Sequence, residues 1–285
     1  MNILDYITWT VEPEIFSIGF LTVRWYGLFF ALAFVFGQII ISRIYVAEGR
    51  TEGDVDVLTL YMIIGTVIGA RLGHTLFYAP DYYLSNPIEI LKIWEGGLAS
   101  HGATIGILLA LWLFSRKQKF DYMWVLDRIV IVVALGGTFI RLGNLMNSEI
   151  IGRPADLPWA FKFVNNHEII NGVAASADPR HPTQLYEALA AFLLFVLLYW
   201  LWKKYKSALP RGLLFGIFVT VLFTFRFLVE FLKENQEKFE DELALNMGQL
   251  LSIPLILVGL FILLKVWQKP RPGLPGGRIA AVEKR

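Results

Sequence analysis

The stretch DRIVIVVALGGTFIRLGNLMNSE, residues 127–149, decides the fold. Its middle is apolar enough to sit in hydrocarbon. Yet it closes on Arg141, Asn144, Asn147 and Glu149, groups that hydrocarbon rejects. A helix reaching water explains that ending, and so does a helix presenting these groups to a polar ligand at the membrane edge. The rest of the chain bears on the choice. A transmembrane helix needs about 20 mostly apolar residues. Seven stretches qualify, at about 18–42, 57–79, 98–115, 122–145, 183–202, 212–232 and 247–267. Charged residues make up 18% of the 285, below the roughly 25% of soluble domains. The chain therefore reads as all-α: a polytopic membrane protein, one bundle of seven transmembrane helices forming a single integral membrane domain over 1–285. No repeat of 20–50 residues interrupts it.

Several classes of function are disfavoured at once. Residues 1–17 lack Lys and Arg and carry Asp5, Glu12 and Glu14, the opposite of a cleavable basic leader, so the first span is expected to direct insertion. Trp9 and Phe16 in that segment suit either the membrane surface or a loop. With no Cys, the chain has no disulfide, thiolate metal site or cysteine nucleophile of its own. A net charge of +2 without a basic, aromatic-interleaved array argues against a nucleic-acid partner. The four histidines, at 74, 101, 167 and 181, have no metal-binding spacing. There is no GxSxG elbow, P-loop or dinucleotide fingerprint. Chemistry without metal or cofactor is the expectation.

Basic residues favour the cytoplasmic side of a membrane. With the N-terminus outside and the C-terminus cytoplasmic, the inner loops and tail (269–285 at its end) hold 15 Lys and Arg and the outer segments 6. The other five, Arg24, Arg71, Arg128, Arg141 and Arg226, fall within the predicted spans. Arg128 lies near Asp127 at a cytoplasmic end, where snorkelling accounts for it. The other four share the outer half, where each is costly and together they call for a common anion. Glu149, Glu187 and Glu230 supply part of it; a lipid phosphate would supply the rest. The same ordering puts Tyr26, His74 and His101 in that half.

The polar groups fall into small constellations. Arg226 and Glu230 are spaced i,i+4 and Arg141 and Asn144 i,i+3, so each pair shares a helix face. A self-satisfied ion pair, or an amide-rich helix end, explains them as well as a binding site does. Asn147, Glu149 and Gly152 lie beyond the helix, and Gly143 permits close backbone approach. In WEGGLASHGATIG, 94–106, two glycines enter span 3 and His101 follows. A lone membrane histidine is more often structural, but arginines nearby improve its standing as a base. Gly102 and Gly106, like Gly65, Gly69 and Gly73, fit close helix packing. In HPTQLYE, 181–187, Pro182 and Thr183 suit a helix start and Tyr186 an aromatic belt. Gln184 and Glu187 are left unexplained. A transporter with an outer-leaflet charged site is the alternative reading, and a scaffold locked by ion pairs is a third. Against transport stand the one-leaflet placement and the missing repeat.

The segments RWYG (24–27), GARLGH (69–74), WEGGLASHG (94–102), RLGNLMNSEIIGR (141–153), HPTQLYE (181–187), FRFLVEF (225–231) and NMGQLLSIP (246–254) occur in the order of a known family. The chain resembles the bacterial phosphatidylglycerol–prolipoprotein diacylglyceryl transferases over nearly its whole length. The RLGNxxNSExxGR run is the most specific of these. Two departures are Ala103, where members often carry Gly, and Leu222, where a tyrosine often stands; the second leaves Tyr26 as the nearest phenol.

The resemblance implies seven spans in a bacterial cytoplasmic (inner) membrane, a site towards the periplasmic leaflet, and a periplasmic head over it at 146–182. It implies transfer of a diacylglyceryl group from phosphatidylglycerol to the lipobox cysteine of a prolipoprotein signal peptide. The products would be a thioether and glycerol-1-phosphate. On that reading the substrate brings the nucleophile. His101 would be the general base, and Arg141 and Arg226 would grip the phosphate bidentately. Asn144 and Asn147 would contact the headgroup glycerol, Arg71 and Tyr26 would assist at the phosphate, and Glu149 and Glu230 would position the arginines. Gly152 completes the substrate-binding set.

Overall fold

The computed structural model describes residues 6–19, 21–93, 96–170, 173–234 and 243–268. Trp94, Glu95, the acidic run from 235 to 242 and the tail 269–285 therefore lie outside the described residues. The chain is mostly helical. Its helices are α1 (Trp25–Ala47), α2 (Glu52–Phe77), the short α3 (Pro80–Ser85), α4 (Ser100–Gln118), α5 (Tyr122–Met146), α6 (Thr183–Tyr205), α7 (Leu213–Val229) and α8 (Met247–Trp267). Six of these are long and apolar enough to cross a membrane: α1, α2, α5, α6, α7 and α8, with the α6 and α7 stretches continuing to Ala208 and Leu232. The third expected span corresponds to α4, which is not among the six. It has only 19 residues, and Arg116 and Lys117 occupy its last turn.

Length and apolarity make these helices, but local chemistry sets their ends. Thr51 and Asp54 close a reciprocal capping box on α2, with Asp54 N donating to Thr51 Oγ1 at 3.2 Å and Thr51 N to Asp54 Oδ2 at 3.0 Å. Asn246 and Gln249 do the same for α8, at 2.9 and 3.1 Å. The helix surfaces are inverted relative to a soluble protein. Phe30, Phe34, Leu60, Leu193, Leu257 and Phe261 point outwards, while Arg71, Asn144, Gln184, Glu187, Glu230 and Lys233 are buried. Lipid is the solvent that permits this, since burying an unpaired charge is costly and exposing Leu to hydrocarbon is not.

Among the described residues six short strands accompany the helices, and none was expected from an all-α reading. β1 (Ile7–Trp9) runs parallel to β4 (Phe161–Phe163); β2 (Glu14–Ile18) and β3 (Leu21–Arg24) form a hairpin; β5 (Ile169–Ile170) pairs with β6 (Val173–Ala174). Two to five residues are too few for a period-2 pattern to show. The hairpin corrects one assignment. Arg24 sits in β3, before the first helix, is exposed, and faces Glu14 at 3.4 Å. It is a surface ion pair and leaves the set of intramembrane arginines. β1 corrects another. Trp9 donates to the Leu145 carbonyl at 3.1 Å and packs with Leu145, Ile151, Phe161, Phe163 and Ala175. It belongs to the small core of the segment after α5, together with Ile170 and Leu185.

Two compact units account for the chain: Met1–Ile39 with Val130–Arg285, and Ile40–Ile129. In the Ile40–Ile129 unit, α2 packs on α4 through glycines. A Cβ on Gly69 would stand 2.5 Å from the Gly102 carbonyl, and one on Gly106 would collide with the Gly65 carbonyl. Only residues without a side chain allow this approach. Gly106→Val is expected to destabilise the protein by about 1–3 kcal/mol through overpacking, read as a lower thermal midpoint in detergent; an unchanged midpoint would contradict the packing.

The same unit holds Arg128, which does not snorkel. Its side chain is buried and grips Glu48 with Nε to Oε1 at 3.1 Å and Nη2 to Oε2 at 2.8 Å. Trp124 donates to the same carboxylate at 2.9 Å and lies under the guanidinium, 4.8 Å from ring centre to Cζ.

Candidate active site

The site grows out of the end of α5. Arg141 and Asn144 project from its last turns on one face, as i,i+3 spacing requires, and Arg141 Nη1 donates to Asn144 Oδ1 at 3.2 Å. The helix stops at Met146, and the chain turns sharply: Ser148 and Ile150 both adopt positive φ, 53° and 58°. That is costly for any residue with a side chain and most of all for a β-branched one. Three side-chain hydrogen bonds among the described residues brace the turn. The carbonyls of Ser148, Glu149 and Ile150 accept from Asn166 Nδ2 at 2.7 Å, Gln184 Nε2 at 2.7 Å and Thr183 Oγ1 at 2.9 Å. Thr183 is thus not the cap of α6; Pro182 occupies that position. Gln184, unexplained by sequence, is a strut for this turn.

The turn brings Glu149 back towards the helix. Its Oε1 accepts from Asn144 Nδ2 at 2.7 Å and Asn147 Nδ2 at 3.3 Å. Tyr26, in the first turn of α1, lies on the bare backbone of Gly143, where a Cβ would come 2.8 Å from its Cδ2. Gly143 therefore lets Tyr26 pack closely against the turn of α5 that carries Arg141 and Asn144.

Charge then runs across three segments. Arg141 Nε lies 3.2 Å from Glu187 Oε2 on α6. Glu187 Oε1 accepts from Lys233 Nζ at 3.0 Å, and Lys233 also donates to Glu230 Oε1 at 3.2 Å. Glu230 in turn faces Arg226 Nε on α7 at 3.7 Å. The order is cation, anion, cation, anion, cation. The middle three side chains are buried, at 8%, 2% and 7% exposure for Glu187, Lys233 and Glu230. The two ends are open, at 21% for Arg141 and 42% for Arg226. Glu230 is further held by Asn246 Nδ2 at 3.4 Å and by Gly248, whose missing Cβ leaves room for the carboxyl. Several buried side-chain atoms here have no hydrogen-bond partner among the described residues: Ser148 Oγ, Gln184 Oε1, Asn147 Oδ1, and Glu187 Oε2, whose ion pair with Arg141 is close but not aligned as a hydrogen bond.

Of the residues the sequence singled out, Arg141, Asn144, Asn147, Glu149, Tyr26, Arg226 and Glu230 lie in this one unit. Their parts differ from expectation in two ways. Arg141 takes Glu187 as its carboxylate, and Glu149 reaches it only through Asn144. Lys233 joins the halves, and sequence reading left it as an ordinary loop residue.

Gly152 is not exposed for substrate. Its N–H donates to the His181 carbonyl at 3.0 Å and its carbonyl accepts from Arg180 at 3.2 Å. A Cβ there would meet His181 and the Leu232 carbonyl, so Gly152 serves a crossing of backbones. Beside it, His181 Nδ1 lies 3.2 Å from the Tyr186 hydroxyl, which also accepts from Trp159 at 2.9 Å. Burial lowers the His181 imidazole below its ordinary pKa, which favours the uncharged ring beside the Tyr186 hydroxyl.

Arg71 and His101 belong to the Ile40–Ile129 unit. Arg71 is buried and donates to the carbonyls of Ile90, Gly96, Gly97 and Glu89 at 2.9, 2.6, 3.2 and 2.5 Å. Four of its five donors are thereby used, and its guanidinium also stacks over Tyr83. It clamps the segment after α3 and is not available as a phosphate ligand, contrary to expectation. His101 is exposed in the first turn of α4, with its ring 5.4 Å from Phe77 and 5.9 Å from Tyr78.

Two partly exposed guanidinium groups backed by buried carboxylates, Arg141 on Glu187 and Arg226 on Glu230, have the chemistry that binds a phosphate ester. The prolipoprotein diacylglyceryl transferase family model matches residues 13–265. A phosphatidylglycerol–prolipoprotein diacylglyceryl transferase of Chloroherpeton thalassium is 47% identical over 267 residues, covering 92% of this chain and 95% of that protein. Proteins of the same name from Tolumonas auensis and Bacteroides fragilis are 48% and 44% identical, each covering 90% or more of both chains. Matched over nearly its whole length, the chain belongs to the prolipoprotein diacylglyceryl transferase family.

Proposed function

We propose that the chain transfers the diacylglyceryl group of phosphatidylglycerol to the lipobox cysteine of a prolipoprotein signal peptide. The observation that carries this reading is one buried charge network that ends in two partly exposed guanidinium groups, Arg141 and Arg226. The substrate's sulfur attacks the carbon of the diacylglycerol moiety that is bonded to the phosphate oxygen. The S–C bond forms as the C–O bond breaks, and glycerol-1-phosphate leaves with one more negative charge. Arg141 and Arg226 meet that charge as it develops, which is where preorganised cations contribute most. Asn147 Oδ1, buried and unpartnered, is suited to accept from a headgroup glycerol hydroxyl. Asn144, occupied on both sides, instead fixes Arg141 relative to Glu149.

The thiol, with an ordinary pKa near 8.5, loses its proton to a base, for which His101 is proposed. Seven spans, with α4 as the third, an outside N-terminus, a cytoplasmic C-terminus and a site open to the periplasmic leaflet of the inner membrane complete the proposal. The surplus of basic residues in the inner loops supports that orientation, and the head at 146–182 is proposed to lie outside. Purified protein mixed with phosphatidylglycerol and a lipobox-cysteine peptide should yield a diacylglyceryl-modified peptide by mass spectrometry. No adduct from folded protein would sink the proposal. His101→Gln is expected to slow transfer by roughly 10²–10⁴-fold, the usual contribution of a general base; full activity would remove that assignment alone.

A further inference from the structure

Lys233 stands between the carboxylate partners of the two arginines. Its ammonium is 2% exposed and donates to Glu187 and to Glu230, the carboxylates that face Arg141 and Arg226. Its backbone is equally fixed. Gly152 pairs with it as an antiparallel bridge, Arg153 Nε donates to its carbonyl at 3.0 Å, and Arg153 N–H donates to the neighbouring Leu232 carbonyl at 2.8 Å. The ammonium is thus placed by the segment after α5 and by the end of α7 together.

We infer that Lys233 is a positioning residue for the proposed reaction: it ties Glu187 to Glu230 so that Arg141 and Arg226 are set as one phosphate-binding pair. The inference rests on the proposed transfer. Without the ammonium, two buried carboxylates would face each other with nothing between them, and like charges at that range repel strongly. Each would swing away, taking its arginine along. The five-residue chain also carries one net positive charge with Lys233 and none without it, so an anionic lipid would be held less well. No other described cation is within ion-pair distance of both carboxylates. Asn246 and the backbone of Gly248, which also lie against Glu230, are neutral.

The test is steady-state transfer to a lipobox-cysteine peptide from phosphatidylglycerol, with kcat and KM for the lipid measured separately. Lys233→Met should lower kcat and raise KM together, for a loss in kcat/KM of roughly 10²-fold or more. Lys233→Arg, which keeps a charge able to reach both carboxylates, should stay within roughly tenfold of the unaltered protein. Lys233→Met/Glu187→Gln removes one charge of each sign and relieves the buried repulsion. It should recover thermal stability and yet remain slow, because Arg141 has lost its partner. Full activity in that double variant, or in Lys233→Met, would overturn the inference, as would Lys233→Arg no better than Lys233→Met despite a normal thermal midpoint. Failure of the unaltered protein to transfer would instead overturn the reading on which the inference rests.

Discussion

Arg141→Ala is expected to lower kcat/KM for phosphatidylglycerol by roughly 10²–10³-fold, the usual cost of removing a preorganised donor to developing charge. The fold should survive it, because Arg141 is partly open and Glu187 keeps its hydrogen bond to Lys233. Arg141→Lys is the sharper variant. An ammonium can preserve the ion pair with Glu187 but cannot offer two parallel donors to a phosphate or reach Asn144 in the same pose. It should recover stability without recovering rate. Wild-type rates in Arg141→Lys would mean that the network merely locks the helices together.

The second large effect concerns stability. Arg128→Met should destabilise the protein by about 3–5 kcal/mol, the penalty for removing the cation from a buried ion pair. Glu48 and Arg128 are 2% and 1% exposed, and nothing polar from solvent can replace the guanidinium. Loss of the Trp124 stacking contact adds to the cost. The measurement is thermal unfolding in detergent. Glu48→Gln/Arg128→Met should regain part of the loss, since it removes one of the two buried carboxylates, Glu48 and Asp127, that face the guanidinium. An unchanged midpoint for Arg128→Met would contradict the reading of the pair as buried and essential.

The sequence carried the helices because hydrocarbon thickness demands long apolar runs, and those runs are hard to miss. It also carried Arg141 with Asn144 and Arg226 with Glu230, because helical spacing alone makes them neighbours. It failed where partners are distant in the chain. Arg128 finds Glu48 eighty residues away, and Lys233 finds Glu187 forty-six away. No local spacing reports such pairs. Arg71 failed differently: its partners are backbone carbonyls, which every sequence has and none displays. Arg24 was drawn into a helix because hydropathy does not distinguish a short hairpin from the start of a span. Thr183 and Gln184 serve a left-handed turn at 148–150 that no residue type there announces, since Ser148 and Ile150 are poor candidates for positive φ.

The arginine pair itself is tested most directly by a double-mutant cycle in kcat/KM for phosphatidylglycerol, using Arg141→Gln, Arg226→Gln and the two combined. If the guanidinium groups grip one phosphate, either single change should cost nearly as much as both, as for residues that act as a unit. Losses that simply add, or a single variant at full rate, would contradict a shared phosphate site.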